Sequence, residues 1–212
     1  IEQLARELNR PAEHIENVVR LLDEGNTIPF IARYRKELHG SMDDTALRTL
    51  EERLAYLRNL TERKESVKAS IAEQEKLTDE LAAAIDAAQT LAEVEDLYRP
   101  YKPKRRTRAT VAKEKGLEPL ADAIFAQTAD SASPTELAAD YIDAEKGVET
   151  VEDAINGAMD IIAENISDDA DIRRRLRSLF TVAGVLQSRA ADSEKESVYT
   201  MYYEYDEPVN KI

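Results

Sequence analysis

An all-α fold is what this sequence predicts, on three observations. Glycine and proline number only six and seven in 212 residues, in a chain rich in Ala, Leu, Glu and Asp, a composition that favours helix. Apolar residues recur at helical spacing, as in Leu47, Leu50, Leu54 and Leu57, and such a stripe marks a helix with one buried face. Helix-start signals recur as well: Thr90-Leu-Ala-Glu93 and Ser133-Pro-Thr-Glu136 are capping boxes, in which hydroxyl and carboxylate satisfy early amide donors.

In chain order, residues 2–8 and 12–24 read as two helices separated at Asn9-Arg10-Pro11, with Pro11 placed to open the second. Ile15, Val18, Val19 and Leu22 share one face of the second, and Gly25 caps its end. The pair is helix-turn-helix-like, although the second helix carries Glu13, Glu16, Asp23 and Glu24 against Arg20, a poor set for reading base edges. In residues 27–36, Phe30, Ile31 and Tyr34 are expected to bury while Arg33, Arg35 and Lys36 reach out. Asp43 or Asp44 caps a long helix running to about Gln74, and some 30 residues make a strut of roughly 45 Å. Its wholly polar stretch 61–66 is expected to leave the core. Thr78 caps a short helix, and the helix after Thr90 ends near Tyr98, before Pro100. Beyond Gly116, Pro119 opens a helix, Thr150 caps one with Val151, Ile155, Ile161 and Ile162, and Ser167 caps one with Ile172, Leu176, Leu179 and Phe180 on one face. Residues 182–188 are ambiguous in pattern, with a short strand as one reading. Tyr199, Tyr202, Tyr203 and Tyr205 sit among acids that repel phosphate, so they are expected to pack against the body or a following domain. The expected division is a helix-turn-helix-like unit, 1–42, and a helical scaffold, 43–212, holding a basic loop at 99–115.

That loop is the feature that bears most on function. Residues 99–115 hold eight Lys/Arg and one acid, Glu114, within a chain of net charge −14. Pro100 and Pro103 keep its first part out of a helix. Three uses compete: neutralising acidic helices of the same fold, contacting nucleic-acid phosphates, and docking on an acidic protein face. The nucleic-acid reading selects Lys102, Lys104, Arg105, Arg106 and Arg108, with Tyr98 and Tyr101 flanking. An overall charge so negative confines such contact to a local site. A second cluster, Arg173, Arg174, Arg175 and Arg177, reads chiefly as intramolecular ion pairing.

Other function classes find little support. With 42% hydrophobic and 34% charged residues the composition is that of a soluble globular protein. There is no Cys, so disulfides and thiolate metal sites are excluded and an intracellular protein is expected. His14 and His39 lie apart in sequence, and Asp168, Asp169 and Asp171 lack the glycine and closing Glu of a calcium loop; no metal or cofactor is expected. The six glycines are isolated, which leaves no phosphate-cradling loop, and no Ser or Thr stands in a nucleophile motif. The chain reads as a non-enzyme. No apolar run approaches the length needed to span a bilayer, and Ile1 and Ile212 read as the ends of an excerpt.

Long strings of the chain resemble a known family. TIPFIARYRKELHGSMDD (27–44) with LEERLAYLRNL (50–60), LAEVEDLYRPYKPKRRTRATVAKEKGLEPLAD (91–122), and AINGAMDIIAENI (154–166) followed by Arg173–Arg177 are similar to the N-terminal region of the bacterial Tex family of transcription accessory proteins. The amino-terminal hairpin and residues 128–145 match in pattern only, and the family usually has arginine where Met159 stands. The resemblance implies a cytoplasmic, multidomain, nucleic-acid-associated protein, in which a helical region precedes an RNase-H-like domain, helix-hairpin-helix elements and a C-terminal OB-fold. This chain would end before the RNase-H-like domain. Its expected role is a non-catalytic helical module supporting nucleic-acid binding and transcription regulation. The alternative is a scaffold docking RNA polymerase, ribosomal components or the other domains of the same protein.

Overall fold

Helices dominate the computed structural model, which describes residues 1–128 and 132–212. Residues 129–131 of the acidic stretch therefore lie outside the described residues. The chain forms two units, Ile1–Val94 and Glu95–Ile212.

The first unit holds α1 (Glu2–Glu7), α2 (Ala12–Asp23), α3 (Ile28–Tyr34), α4 (Asp44–Ala72) and α5 (Asp79–Ala87), and α6 (Leu91–Tyr98) leads out of it. Leu4, Ile15, Val18, Leu21, Ile28, Ile31 and Met42 share one core with Leu47 and Leu50 of α4. The start of α4 thus closes the core of the segment before it. Asp43 is its N-cap, accepting from the Ala46 amide at 2.7 Å. The polar stretch 61–66 does not part α4 from the fold: Leu60 and Val67 on either side of it are buried. The helix is held there by α5, where Lys64 donates to the Asp86 carbonyl at 2.8 Å and Lys68 pairs with the Asp86 carboxylate at 2.8 Å. Long lysine stems let a polar stretch pack without exposing apolar surface.

Two local features set the α3–α4 connection. Gly40 has φ +60°, and a Cβ there would lie 2.2 Å from His14 Nδ1, so only glycine fits. Beside it His39 is fully buried, and neither ring nitrogen has a partner among the described residues. In α3 the expectation for Tyr34 is corrected: Ile28 and Ile31 are buried, but Tyr34 is 56% exposed. Tyr34 is the last residue of α3 and lies beside Phe30 four residues earlier, past the turn that buries Ile28 and Ile31.

The second unit is built on α10 (Val151–Asp168), against which α7 (Arg108–Glu114), α8 (Glu118–Ala126) and α9 (Pro134–Ala139) pack. Its core contains Ala109, Ala112, Leu117, Leu120, Ala138, Val148, Ala154, Ala158 and Ile161. Small residues bring the helices close: a Cβ on Gly157 would sit 2.3 Å from the Leu117 side chain. Capping boxes at Thr107/Thr110, Ser133/Glu136 and Thr150/Asp153 fix three helix starts. One expected cap is corrected. Ser167 is the penultimate residue of α10, and Asp169 caps α11 (Ala170–Ala183) by accepting from the Ile172 amide at 2.7 Å. A carboxylate accepts more strongly than a hydroxyl and complements the helix dipole. Strand β1 (Val185–Arg189) pairs antiparallel with β2 (Glu204–Pro208), Gln187 opposite Asp206. Tyr202 meets Tyr205 edge-on at 5.5 Å. Leu179 and Phe180 of α11 are 59% and 65% exposed.

Candidate nucleic-acid interface

The basic run leaves α6 through a 3-10 turn, Arg99–Tyr101, closed by the Lys102 amide donating to the Tyr98 carbonyl at 3.0 Å. It re-enters helix at Thr107, the cap of α7. Opposite it, α10 presents Asp160, Glu164 and Asp168 at four-residue intervals, which puts three carboxylates on one helix face. Arg99 Nε donates to Asp168 Oδ1 at 2.8 Å. Lys104 Nζ lies 2.6 Å from Glu164 Oε1 and also pairs with Asp168. Thr107 Oγ1 donates to Glu164 Oε2 at 2.8 Å. These bonds pin the two ends and the middle of the loop to α10.

The five expected contact residues therefore divide. Lys104 is turned inward. Arg106 pairs with Glu114 at 2.7 Å, Arg108 with Asp160 at 3.4 Å, and Lys102 with Glu95 at 3.9 Å. In all three the cationic side chain is more than half exposed, and Arg108 is 88% so. Such exposed pairs are worth at most about 1 kcal/mol and exchange readily for another anion. Arg105 is exposed and has no ion pair or hydrogen bond among the described residues. An open cleft of 460 Å³ runs between Arg99, Lys102, Lys104 and Arg105 on one side and Glu164 and Asp168 on the other. Tyr98 is buried at the end of α6, and Tyr101 is half-buried.

Electrostatics follow from this packing. Burial opposes the charge on Lys104, but Asp168 and Glu164 outweigh it and hold the ammonium above its ordinary range. Burial likewise opposes ionisation of Glu164, yet Lys104 and Thr107 bring its pKa below the usual value. Asp96 of α6 is the second buried acid: Arg173 Nε donates to it at 2.6 Å and Arg177 also pairs with it. Burial of Asp96 is outweighed by Arg177 and Arg173, so its pKa is lowered. The arginine cluster thus serves intramolecular pairing at these two positions, and Arg174 pairs with Asp171 at 2.8 Å.

Reasoning from sequence misses the carboxylates that face the loop. Their signal is present: acids at 160, 164 and 168 share a helix face. Pairing that face with a loop 60 residues away is tertiary information. Among the described residues no group of three or more His, Cys, Asp or Glu is arranged to hold a metal ion, and no helix is long and apolar enough to cross a membrane.

Comparison with known proteins matches residues 1–72 to the Tex-like protein N-terminal domain and residues 129–212 to the Tex central region-like family. The uncharacterized protein YdcI of Bacillus subtilis is 51% identical over 100% of this chain and 30% of its own length. The transcriptional accessory protein Tex of Neisseria gonorrhoeae is 43% identical over 99% of the chain and 27% of its own length. The human S1 RNA-binding domain-containing protein 1 is 32% identical over 77% of the chain and 16% of its own length. The chain thus spans less than a third of the length of these relatives. With two Tex-type regions taking in most of its residues, and a helical fold that carries the TIPFIARYRKE and RPYKPKRRTR strings on defined elements, the chain belongs to the Tex family.

Proposed function

We propose that this chain is a non-catalytic helical module of a cytoplasmic transcription accessory protein, and that it supports nucleic-acid binding through the loop at 99–108. One observation carries the reading. Lys102, Arg105, Arg106 and Arg108 hold their charges in solvent, while Arg99 and Lys104 use theirs to anchor the loop to α10. Anchoring lowers the entropy lost when a loop docks. Exposed guanidinium and ammonium groups on extended backbone contact phosphate without reading sequence. The RNA-binding name of the human relative and the transcription role in the name of the gonococcal one support the same context.

The test is fluorescence anisotropy of the chain with a labelled single-stranded RNA and a duplex DNA across a salt series. Changing Lys102, Arg105 and Arg106 together to Gln is expected to weaken binding at low salt. It should also flatten the salt slope by about 2 to 3, at roughly 0.7–0.9 for each phosphate no longer neutralised. An unchanged isotherm removes the loop from the interface. Magnesium-dependent cleavage of either probe by the chain would overturn the non-catalytic assignment.

A second reading has its own observation. Leu176, Leu179 and Phe180 of α11 form an exposed apolar face, which suits a protein surface such as RNA polymerase, a ribosomal component or another domain of the same protein. A pull-down that survives nuclease treatment and depends on these three side chains is its signature.

A further inference from the structure

The loop is the most basic segment in sequence, but a second group of cations without carboxylate partners lies elsewhere, at the end of α3. Residues 27–36 contain Arg33, Arg35 and Lys36 and no acid, with Glu37 following. Among the described residues none of these three cations has a carboxylate partner; Arg35 donates only to the Tyr34 carbonyl, at 3.1 Å. Between them stands an aromatic pair. The Phe30 and Tyr34 rings are 5.2 Å apart and tilted by 46°. Arg35 lies 5.2 Å from the Phe30 centroid, and Arg33 lies 6.0 Å from that of Tyr34. Tyr34 is 56% exposed.

A ring more than half exposed contributes little burial, and the cations beside it, without carboxylate partners, add no ion-pair stability. Together they make a recognisable surface: a π-face for a base, with guanidinium groups beside it. Stacking on an aromatic face tolerates any base, and flanking arginines add phosphate contacts and cation–π support. A base inside a duplex has no free face to offer, so the surface selects unpaired nucleotides.

We propose that the Tyr34 ring of α3, with Arg33, Arg35 and Lys36 around it, is a stacking site for single-stranded nucleic acid. It is separate from the loop at 99–108 and goes beyond the function proposed for that loop. Tyr34 closes α3 beside the half-buried Phe30, while Ile28 and Ile31 of the same helix go into the core.

The experiment uses the whole 212-residue chain and three labelled probes of one sequence: a 12-nucleotide RNA, the same DNA strand, and its duplex. Tyr34→Ala is expected to weaken binding of the single strands about tenfold, within the range base–aromatic stacking gives, and Tyr34→Phe to retain it. Arg33→Gln with Lys36→Gln should lower the salt slope by roughly 1.4 on single strands. A strand carrying 5-iodouracil should crosslink to Tyr34 on irradiation, and the peptide that carries the label locates the site. The RNA and DNA arms tell which sugar is preferred, since either sugar satisfies a stacking site. Thermal melting of Tyr34→Ala should stay close to that of the unsubstituted chain, because more than half of Tyr34 is in solvent. Three outcomes overturn the proposal: no single-strand binding at low salt, equal binding of single strand and duplex with the same response to Tyr34→Ala, or no response to that change. Running the Lys102, Arg105, Arg106 variant alongside separates the two sites. Loss with that variant alone sinks the α3 site and leaves the loop.

Discussion

Gly40 shows how much one backbone position settles. Its φ of +60° and the His14 ring 2.2 Å from where a Cβ would sit leave no room for a side chain. Gly40→Ala is expected to destabilise the chain by about 2–3 kcal/mol, combining left-handed strain with a steric clash. Gly25 provides the control. It has φ +84° and nothing within 4 Å of where a methyl would stand, so Gly25→Ala should cost only about 1 kcal/mol. Urea titrations of the two variants measure the difference, and equal losses would mean that the His14 ring moves aside freely. In sequence, Gly40 is legible as a chain break and His14 as a helical residue. Their contact is not legible, because it depends on how α2 meets the turn between α3 and α4.

At the scale of elements, sequence reading works where a signal is local and fails where partners are remote. The capping residues Thr78, Thr90, Ser133 and Thr150 are all legible, because a cap is made within four residues. Ser167 misleads because helix α10 runs past it and Asp169 competes for the same role. Two helices of similar apolar content also behave differently. Ile161 of α10 is fully buried, whereas Leu179 and Phe180 of α11 stand in solvent. Ile161→Ala should cost about 2–5 kcal/mol. Leu179→Ser with Phe180→Ser should change stability by less than about 1 kcal/mol. Chemical denaturation reads both, and a large loss from the α11 pair would show that this face is covered in solution. Hydrophobic spacing defines a face; it does not say what lies against it.

Over the whole chain, charge is distributed more evenly than the sequence suggests. Of the basic run at 99–115, Arg99, Lys104 and Arg108 pair with acids of α10, and Lys102 and Arg106 with Glu95 and Glu114; pairing of this kind predicts how stability follows pH. Burial alone would raise the pKa of Asp96, but its two arginines bring it below the ordinary 3.8. Glu164 is held below its ordinary 4.5 by Lys104 and Thr107, and Glu7, paired with Arg53 at 2.5 Å, falls to about 2. Each of these acids binds protons more readily unfolded than folded. Their contribution is complete above the unfolded values and fades as pH falls through the folded ones. Unfolding free energy should therefore stay nearly level from pH 7 to about 5 and decline below about 4, with Asp96→Asn flattening the acid limb while lowering the plateau. A limb unchanged in that variant would assign the acid sensitivity elsewhere.

The row of carboxylates on α10 imitates a ligand. Spaced about 6 Å apart at four residues per step, Asp160, Glu164 and Asp168 hold the loop's cations as a polyphosphate strand would. Under the function proposed above, α10 would be an internal rival for the ligand. Binding at the loop would then be an exchange of one polyanion for another, in which the exposed pairs yield first and the anchored Lys104 last. Affinity would be set by the difference between two sets of anions, and a strand that engaged only the outer cations would leave the loop's conformation intact.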